Sequence, residues 1–142
     1  MICYAVIDTN VLVSSLLAKS ADVATVQIME KVIVGKIVPL YSKEIISEYR
    51  EVLNRKKFNF SKKLVDYLIN AIEKFGILVE PQKLEIDFID LKDLPFYEVV
   101  MDKENEDSYL VTGNIKHFPK KPFIVTPREL INILQELIHK KE

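Results

Sequence analysis

A chain of 142 residues, 49% apolar and 29% charged, is long enough to bury a core unaided and has an ordinary globular balance. A single cysteine, Cys3, rules out an internal disulfide or a cysteine zinc site, and three glycines with no glycine-rich loop argue against a phosphate-cradling nucleotide site. No apolar run approaches the roughly 20 residues that cross a bilayer, and the N-terminus lacks a signal-peptide layout, so one cytoplasmic domain over 1–142 with no membrane partner is expected.

The net charge of −1 conceals two regions of opposite sign. Nine acids between Glu85 and Asp107 (Glu85, Asp87, Asp90, Asp93, Glu98, Asp102, Glu104, Glu106 and Asp107) face only Lys92 and Lys103. Between Arg50 and Lys63 the sign reverses, with Arg50, Arg55, Lys56, Lys57, Lys62 and Lys63 set against Glu51. Charge runs are usually solvated faces; a protein that chelates cations beside a bound polyanion has the same layout.

In chain order, Cys3-Tyr4-Ala5-Val6-Ile7 reads as a buried strand running into Asp8-Thr9-Asn10. Asp8 stands at the strand's carboxyl end, where open α/β sheets bind ligands; the plainer alternative is a helix cap. A short apolar turn follows over 11–17. A helix is expected over 21–34, with Val23, Val26, Ile28, Met29 and Val32 inward and Gly35 as its stop. The second strand, 37–41, contains Pro39, which predicts an imperfect or edge strand.

Ser42 is a natural N-cap for a helix whose core stripe is Ile45, Ile46, Tyr49, Val52 and Leu53, with Glu44 and Glu48 on one face. Ser61 caps a helix over 62–75, with Leu64, Leu68, Ile69 and Ile72 inward, ended by Gly76; 77–79 is a third strand. An acidic connection over 81–89 leads to Asp93, which precedes Pro95 and a helix over 96–103. A fourth strand over 108–112 ends in Thr112-Gly113-Asn114. Phe123-Ile124-Val125 is a fifth, and Thr126-Pro127 opens a last helix through residue 139. Strands separated by helices predict a mostly parallel sheet in a three-layer α/β/α sandwich.

Asp8 and Thr112-Gly113-Asn114 at strand ends, Glu48 on a helix and Asp93 at a helix start can converge on one edge of such a sheet. Carboxylates and amides with no Cys or His set are hard ligands that suit Mg²⁺ or Mn²⁺ over zinc. Metal held this way and completed by substrate phosphates is an arrangement of nucleases.

At these residues the chain resembles the PIN-domain ribonucleases. Asp8-Thr9-Asn10-Val11-Leu12 is similar to their opening motif and Ser42-Lys43-Glu44-Ile45-Ile46-Ser47-Glu48-Tyr49 to the second. Asp93-Leu94-Pro95-Phe96-Tyr97-Glu98 resembles the third, and Tyr109-Leu110-Val111-Thr112-Gly113-Asn114-Ile115-Lys116-His117-Phe118 the fourth. The resemblance runs over essentially the whole chain, in order, and is greatest to the VapC-like toxin components of toxin–antitoxin pairs. It implies a Mg²⁺- or Mn²⁺-dependent endoribonuclease acting on single-stranded RNA, a homodimer, and neutralisation by a small antitoxin. By this resemblance Asp8, Glu48 and Asp93 hold the metal and act with Asn114 in catalysis, supported by Thr9, Asn10 and Thr112. Asn114 stands where relatives commonly carry an acid.

Some assignments stay open. Asp90 and Glu98 are further candidate metal acids, against a solvated or merely supporting role. Lys116, Lys120 and Lys121 are candidate phosphate contacts, and His117 reads as a hydrogen-bonded structural residue. A haloacid-dehalogenase-type phosphatase needs an acid where Asn10 stands. A non-catalytic PIN-like module that binds RNA or a partner is the alternative function.

Overall fold

The computed structural model describes residues 2–104 and 106–140. Strand β1 (Cys3–Ile7), buried at every residue except Tyr4, is the middle of a five-stranded, all-parallel sheet. Its neighbours are β2 (Ile37–Tyr41) and β4 (Ser108–Val111), with β3 (Ile77–Leu78) and β5 (Ile124–Val125) at the edges, in the order β3-β2-β1-β4-β5. Ala5 aligns with Pro39 on one side and Tyr109 on the other. The chain builds outward through β2 and β3, then crosses back to place β4 on the far side of β1. The strand order therefore reverses between β1 and β4, and the crevice outside their carboxyl ends is the switch point where open sheets bind ligands.

Among the described residues six helices cover this sheet in an α/β/α sandwich: α1 (Thr9–Leu17), α2 (Ala24–Ile33), α3 (Lys43–Leu53), α4 (Lys62–Phe75), α5 (Leu94–Asp102) and α6 (Pro127–Lys140). Helix α5 lies across β1, β2 and β4, while α2 packs on β2 and against α1, α4 and α6. Among the described residues no helix is long and apolar enough to cross a membrane. Local sequence explains the starts of α3, α4 and α6. The Ser42 and Ser61 hydroxyls accept from the backbone N–H groups of Ile45 and Leu64. Thr126 and Glu129 form a reciprocal capping box at the start of α6.

Several expectations are corrected. The turn expected over 11–17 is helix α1, which begins directly at Thr9, and α2 begins only at Ala24 with Val23 partly exposed. In α4 the inward residue is Val65, and Leu64 faces out. Strand β2 is interior to the sheet despite Pro39. Tyr41 C=O accepts from Val79 N on the β3 side, and Pro39 shares the parity of Tyr41. The missing N–H of Pro39 therefore points where β3, paired only from Leu40 onward, has not yet begun. Gly76 makes the α4–β3 turn possible, since a Cβ there would stand 2.4 Å from Pro39 O. Cys3 is a buried core thiol, pushed up to about 12 by burial first and Asp107 second.

Candidate active site

The carboxyl end of β1 is pinned from two sides. Asp8 N donates to Val111 O at 3.0 Å, and the fully buried Tyr49 hydroxyl donates to Ile7 O. Asp8 is the residue before α1, yet its carboxylate does not cap that helix. Instead Oδ2 accepts from Thr112 Oγ1 at 2.7 Å and from Asn10 Nδ2 at 3.1 Å. Asn10 Oδ1 in turn accepts from Gly113 N at 3.1 Å, and Thr112 Oγ1 accepts from Asn114 N at 2.9 Å. The Asp8-Thr9-Asn10 turn and the Thr112-Gly113-Asn114 turn thus form one hydrogen-bonded unit across the switch point. The two bonds that join the turns, Thr112 to Asp8 and Gly113 to Asn10, span 104 and 103 residues of chain, so only the assembled sheet forms them.

Helix α3 brings a second carboxylate. Thr9 Oγ1 donates to Glu48 Oε2, tying α3 to the first turn of α1. A third arrives with α5. A 3-10 turn over Leu91–Asp93, capped by the Asp90 carboxylate on Lys92 N, delivers Asp93 to the helix start, where it too makes no capping bond. Asp93 Oδ2 lies 3.3 Å from His117 Nδ1 in the loop after β4.

These carboxylates feel one another. Asp8, only 4% exposed, has its pKa raised from 3.8 to about 6, first by burial and then by the charges of Asp93 and Glu48. The Thr112 hydroxyl and the Thr9 backbone N–H work against that rise. Asp93 is also raised, by burial first and by Asp90, with His117 opposing.

Hydrogen bonds therefore link Asp8 with Asn10 and Thr112, and Glu48 with Thr9, while Asp93, bonded to His117, reaches Asp8 through its charge. Asn114 joins through its backbone N–H, and Asp90 stands at the margin as a cap whose charge reaches Asp93. Glu98 is engaged elsewhere: it is 4% exposed, and its Oε2 accepts from Leu84 N at 2.7 Å. That bond, with Phe88 packed 5.4 Å from Tyr97 and 5.7 Å from Phe118, holds the irregular 81–89 connection against the core. The anchoring hydroxyl of Tyr49 and the pairing of His117 with Asp93 were not signalled by sequence; Tyr49 reads there only as core.

Two openings flank the crevice. Glu44, Ser47, Glu48, Glu51, Lys92 and Pro95 line a shallow groove of about 400 Å³ between α3 and the start of α5. Lys116, Lys120 and Lys121 rim a largely apolar cavity of about 420 Å³ floored by Ile115, Phe118, Ile124 and Val125.

The donor chemistry fits a hard divalent cation. Asp8, Glu48 and Asp93 each have one oxygen engaged by a neighbour, and the other takes no side-chain hydrogen bond among the described residues. Among the described residues no three His, Cys, Asp or Glu side chains form a ready-made metal cage.

A five-stranded parallel sheet in an α/β/α sandwich, with carboxylate, hydroxyl and amide groups gathered at its switch point, defines the class of fold. A family model described as PIN domain matches residues 4–116, which include Asp8, Glu48, Asp93 and Asn114, and the chain belongs to the PIN-domain family. PIN domains are generally nucleases that use divalent metals. The chain has no match among curated proteins and none among solved structures.

Proposed function

We propose that this chain is a Mg²⁺- or Mn²⁺-dependent endoribonuclease cleaving single-stranded RNA, with Asp8, Glu48 and Asp93 as the metal-holding carboxylates. The observation that carries the reading is the crowding at Asp8. A buried carboxylate beside two others pays a desolvation and repulsion cost that a divalent cation relieves. When bound, such an ion activates water and stabilises the leaving oxygen of a phosphodiester.

The chain's own residues do the rest. Thr112 and Asn10 fix the Asp8 carboxylate by its Oδ2, and Oδ1 takes no side-chain hydrogen bond among the described residues. Thr9 orients Glu48 in the same way, and His117 orients Asp93. Lys92, in the groove beside Glu48, is placed to meet a phosphate. The motif resemblance further supports a toxin component acting as a homodimer and neutralised by an antitoxin protein. Growth arrest on induced expression, relieved by Asp8→Asn, tests that role.

The direct test is cleavage of labelled single-stranded RNA by purified protein. Activity is expected with Mg²⁺ or Mn²⁺ and is expected to vanish in EDTA and in Asp8→Asn. Cleavage that survives chelation, or a variant as fast as the wild type, refutes the reading. A second reading, a PIN-like module that binds RNA without cutting it, is favoured by exposed Asn114 in place of an acid. Salt-sensitive RNA binding with no cleavage under any divalent metal decides for it.

A further inference from the structure

Helix α3 passes the crevice at Glu48 and ends in the most basic stretch of the chain. The loop over residues 54–61 reads Asn54-Arg55-Lys56-Lys57-Phe58-Asn59-Phe60-Ser61, and Lys62 and Lys63 follow in the first turn of α4. Two of the cations near it are committed. Arg55 pairs with Glu51 at 3.3 Å and Arg50 with Asp66 at 3.5 Å. Lys56, Lys57, Lys62 and Lys63 are exposed and take no salt bridge among the described residues.

Two aromatic rings stand within this charge. Phe58 and Phe60 stack nearly parallel, 8° apart, with centroids separated by 5.5 Å. Phe60 packs against the core, so Phe58 is the outer ring; it is half-buried, and the Lys57 ammonium lies 5.0 Å from its centroid. Between them Asn59 adopts φ 54°, a left-handed conformation that Asn tolerates better than most residues. Turn bonds from Phe58 N to Arg55 O and from Asn59 N to Lys56 O hold the loop in this shape. Anchoring the loop needs only the inner ring. A second ring stacked outside it, partly exposed among lysines that take no salt bridge among the described residues, adds an aromatic ring beside positive charge, with the Lys57 ammonium over it.

Single-stranded nucleic acid is the polymer that matches both features at once, offering a base to stack and phosphates to pair. At 1.5 Å per helical residue, Leu53 at the end of α3 lies roughly 8 Å along the axis from Glu48 and the basic loop begins just beyond it, a distance a strand covers in a few nucleotides. We propose that residues 55–63 form a base-stacking platform for single-stranded RNA, in which Phe58 takes a nucleobase and Lys56, Lys57, Lys62 and Lys63 take the flanking phosphates. The platform rests on the RNA reading above and adds to it a defined contact outside the acidic crevice.

The protein contains no tryptophan, so Phe58→Trp installs a single fluorescent reporter in the stack. In EDTA, where cleavage is blocked, titration with an RNA strand of about ten nucleotides is expected to quench that emission. The same sequence as a duplex, or an abasic strand of equal length, is expected to leave it unchanged. By anisotropy, Phe58→Ala is expected to weaken binding of the ordinary strand roughly tenfold, within the range seen for lost base–aromatic stacking, and to leave abasic-strand binding as in the wild type. Phe58→Leu, which keeps an apolar side chain over Phe60 without a flat face, is expected to match Phe58→Ala, and it carries the comparison if the alanine variant melts early. Tryptophan emission indifferent to single-stranded RNA, or equal loss of ordinary and abasic binding, overturns the platform while leaving metal-dependent cleavage to be judged separately. A wild type that binds no single-stranded RNA overturns both.

Discussion

Replacing Asp8 by asparagine separates a buried acid kept for a cation from one that serves the fold. Holding a carboxyl at about 6 when its ordinary value is 3.8 costs the folded state roughly 3 kcal/mol once the group is ionised in both states. The native state keeps the proton to a higher pH than the unfolded chain does. Without metal, this residue's contribution is therefore fully favourable below about pH 4 and is lost as pH rises through about 6. The substitution removes that loss. It also preserves the local bonding, because the amide oxygen can accept from Thr112 and Asn10 where Oδ2 does now. In EDTA, Asp8→Asn is expected to be about 1–3 kcal/mol more stable than the wild type at pH 8 and no more stable at pH 4. For a chain of this size that is a rise in melting temperature of about 3–4 °C per kcal/mol. Thermal melts by circular dichroism at the two pH values give the comparison directly. Adding Mn²⁺ at pH 8 is expected to raise the melting temperature of the wild type and to do much less for the variant. A variant that is no more stable at pH 8 than at pH 4, relative to wild type, refutes the account of Asp8 as a strained, cation-seeking acid.

Thr112→Val removes a fully buried hydroxyl that donates to Asp8 and accepts from Asn114 N; a loss of about 1–3 kcal/mol is expected, with the acidic limb of the pH–cleavage profile moved upward, read by melts and a pH series. Asn114→Asp adds a hard anionic ligand of similar size beside Thr112, so the Mn²⁺ concentration for half-maximal cleavage is expected to fall; affinity equal to or weaker than wild type places residue 114 outside the metal's reach. Glu98→Ala leaves Leu84 N without its carboxylate and is expected to cost about 1.5–3 kcal/mol, with Glu98→Gln recovering part of it and Mn²⁺ affinity unchanged in both. A drop in Mn²⁺ affinity in either Glu98 variant contradicts its assignment to the 81–89 connection.

What the sequence determined by itself is local. Apolar runs bounded by turn residues located all five strands, and Ser42, Ser61 and Thr126-Pro127 marked helix starts, because a cap needs only the next three residues to form its bonds. The polar triplets at the ends of β1 and β4 were legible as candidate chemistry, since an acid, hydroxyl or amide at a buried strand's end has no packing reason to be there. Facing residues within helices were read less well: Leu64 and Val65 are adjacent, and which one turns inward depends on what α4 packs against. Pro39 looked like an edge residue, and only the late start of β3 lets it sit inside the sheet. The capping reading of Asp8 could not be settled locally either, since Asp8 directly precedes α1 and yet does not cap it, and Asp93 before α5 behaves the same way. Tertiary structure decided that Thr112, 104 residues on, holds Asp8, that His117 meets Asp93, and that Glu98 faces Leu84. The Thr112 pairing follows from the order in which strands add to the sheet, and the other two from how α5 packs against the chain around it, properties of the folded chain that no local window of sequence contains.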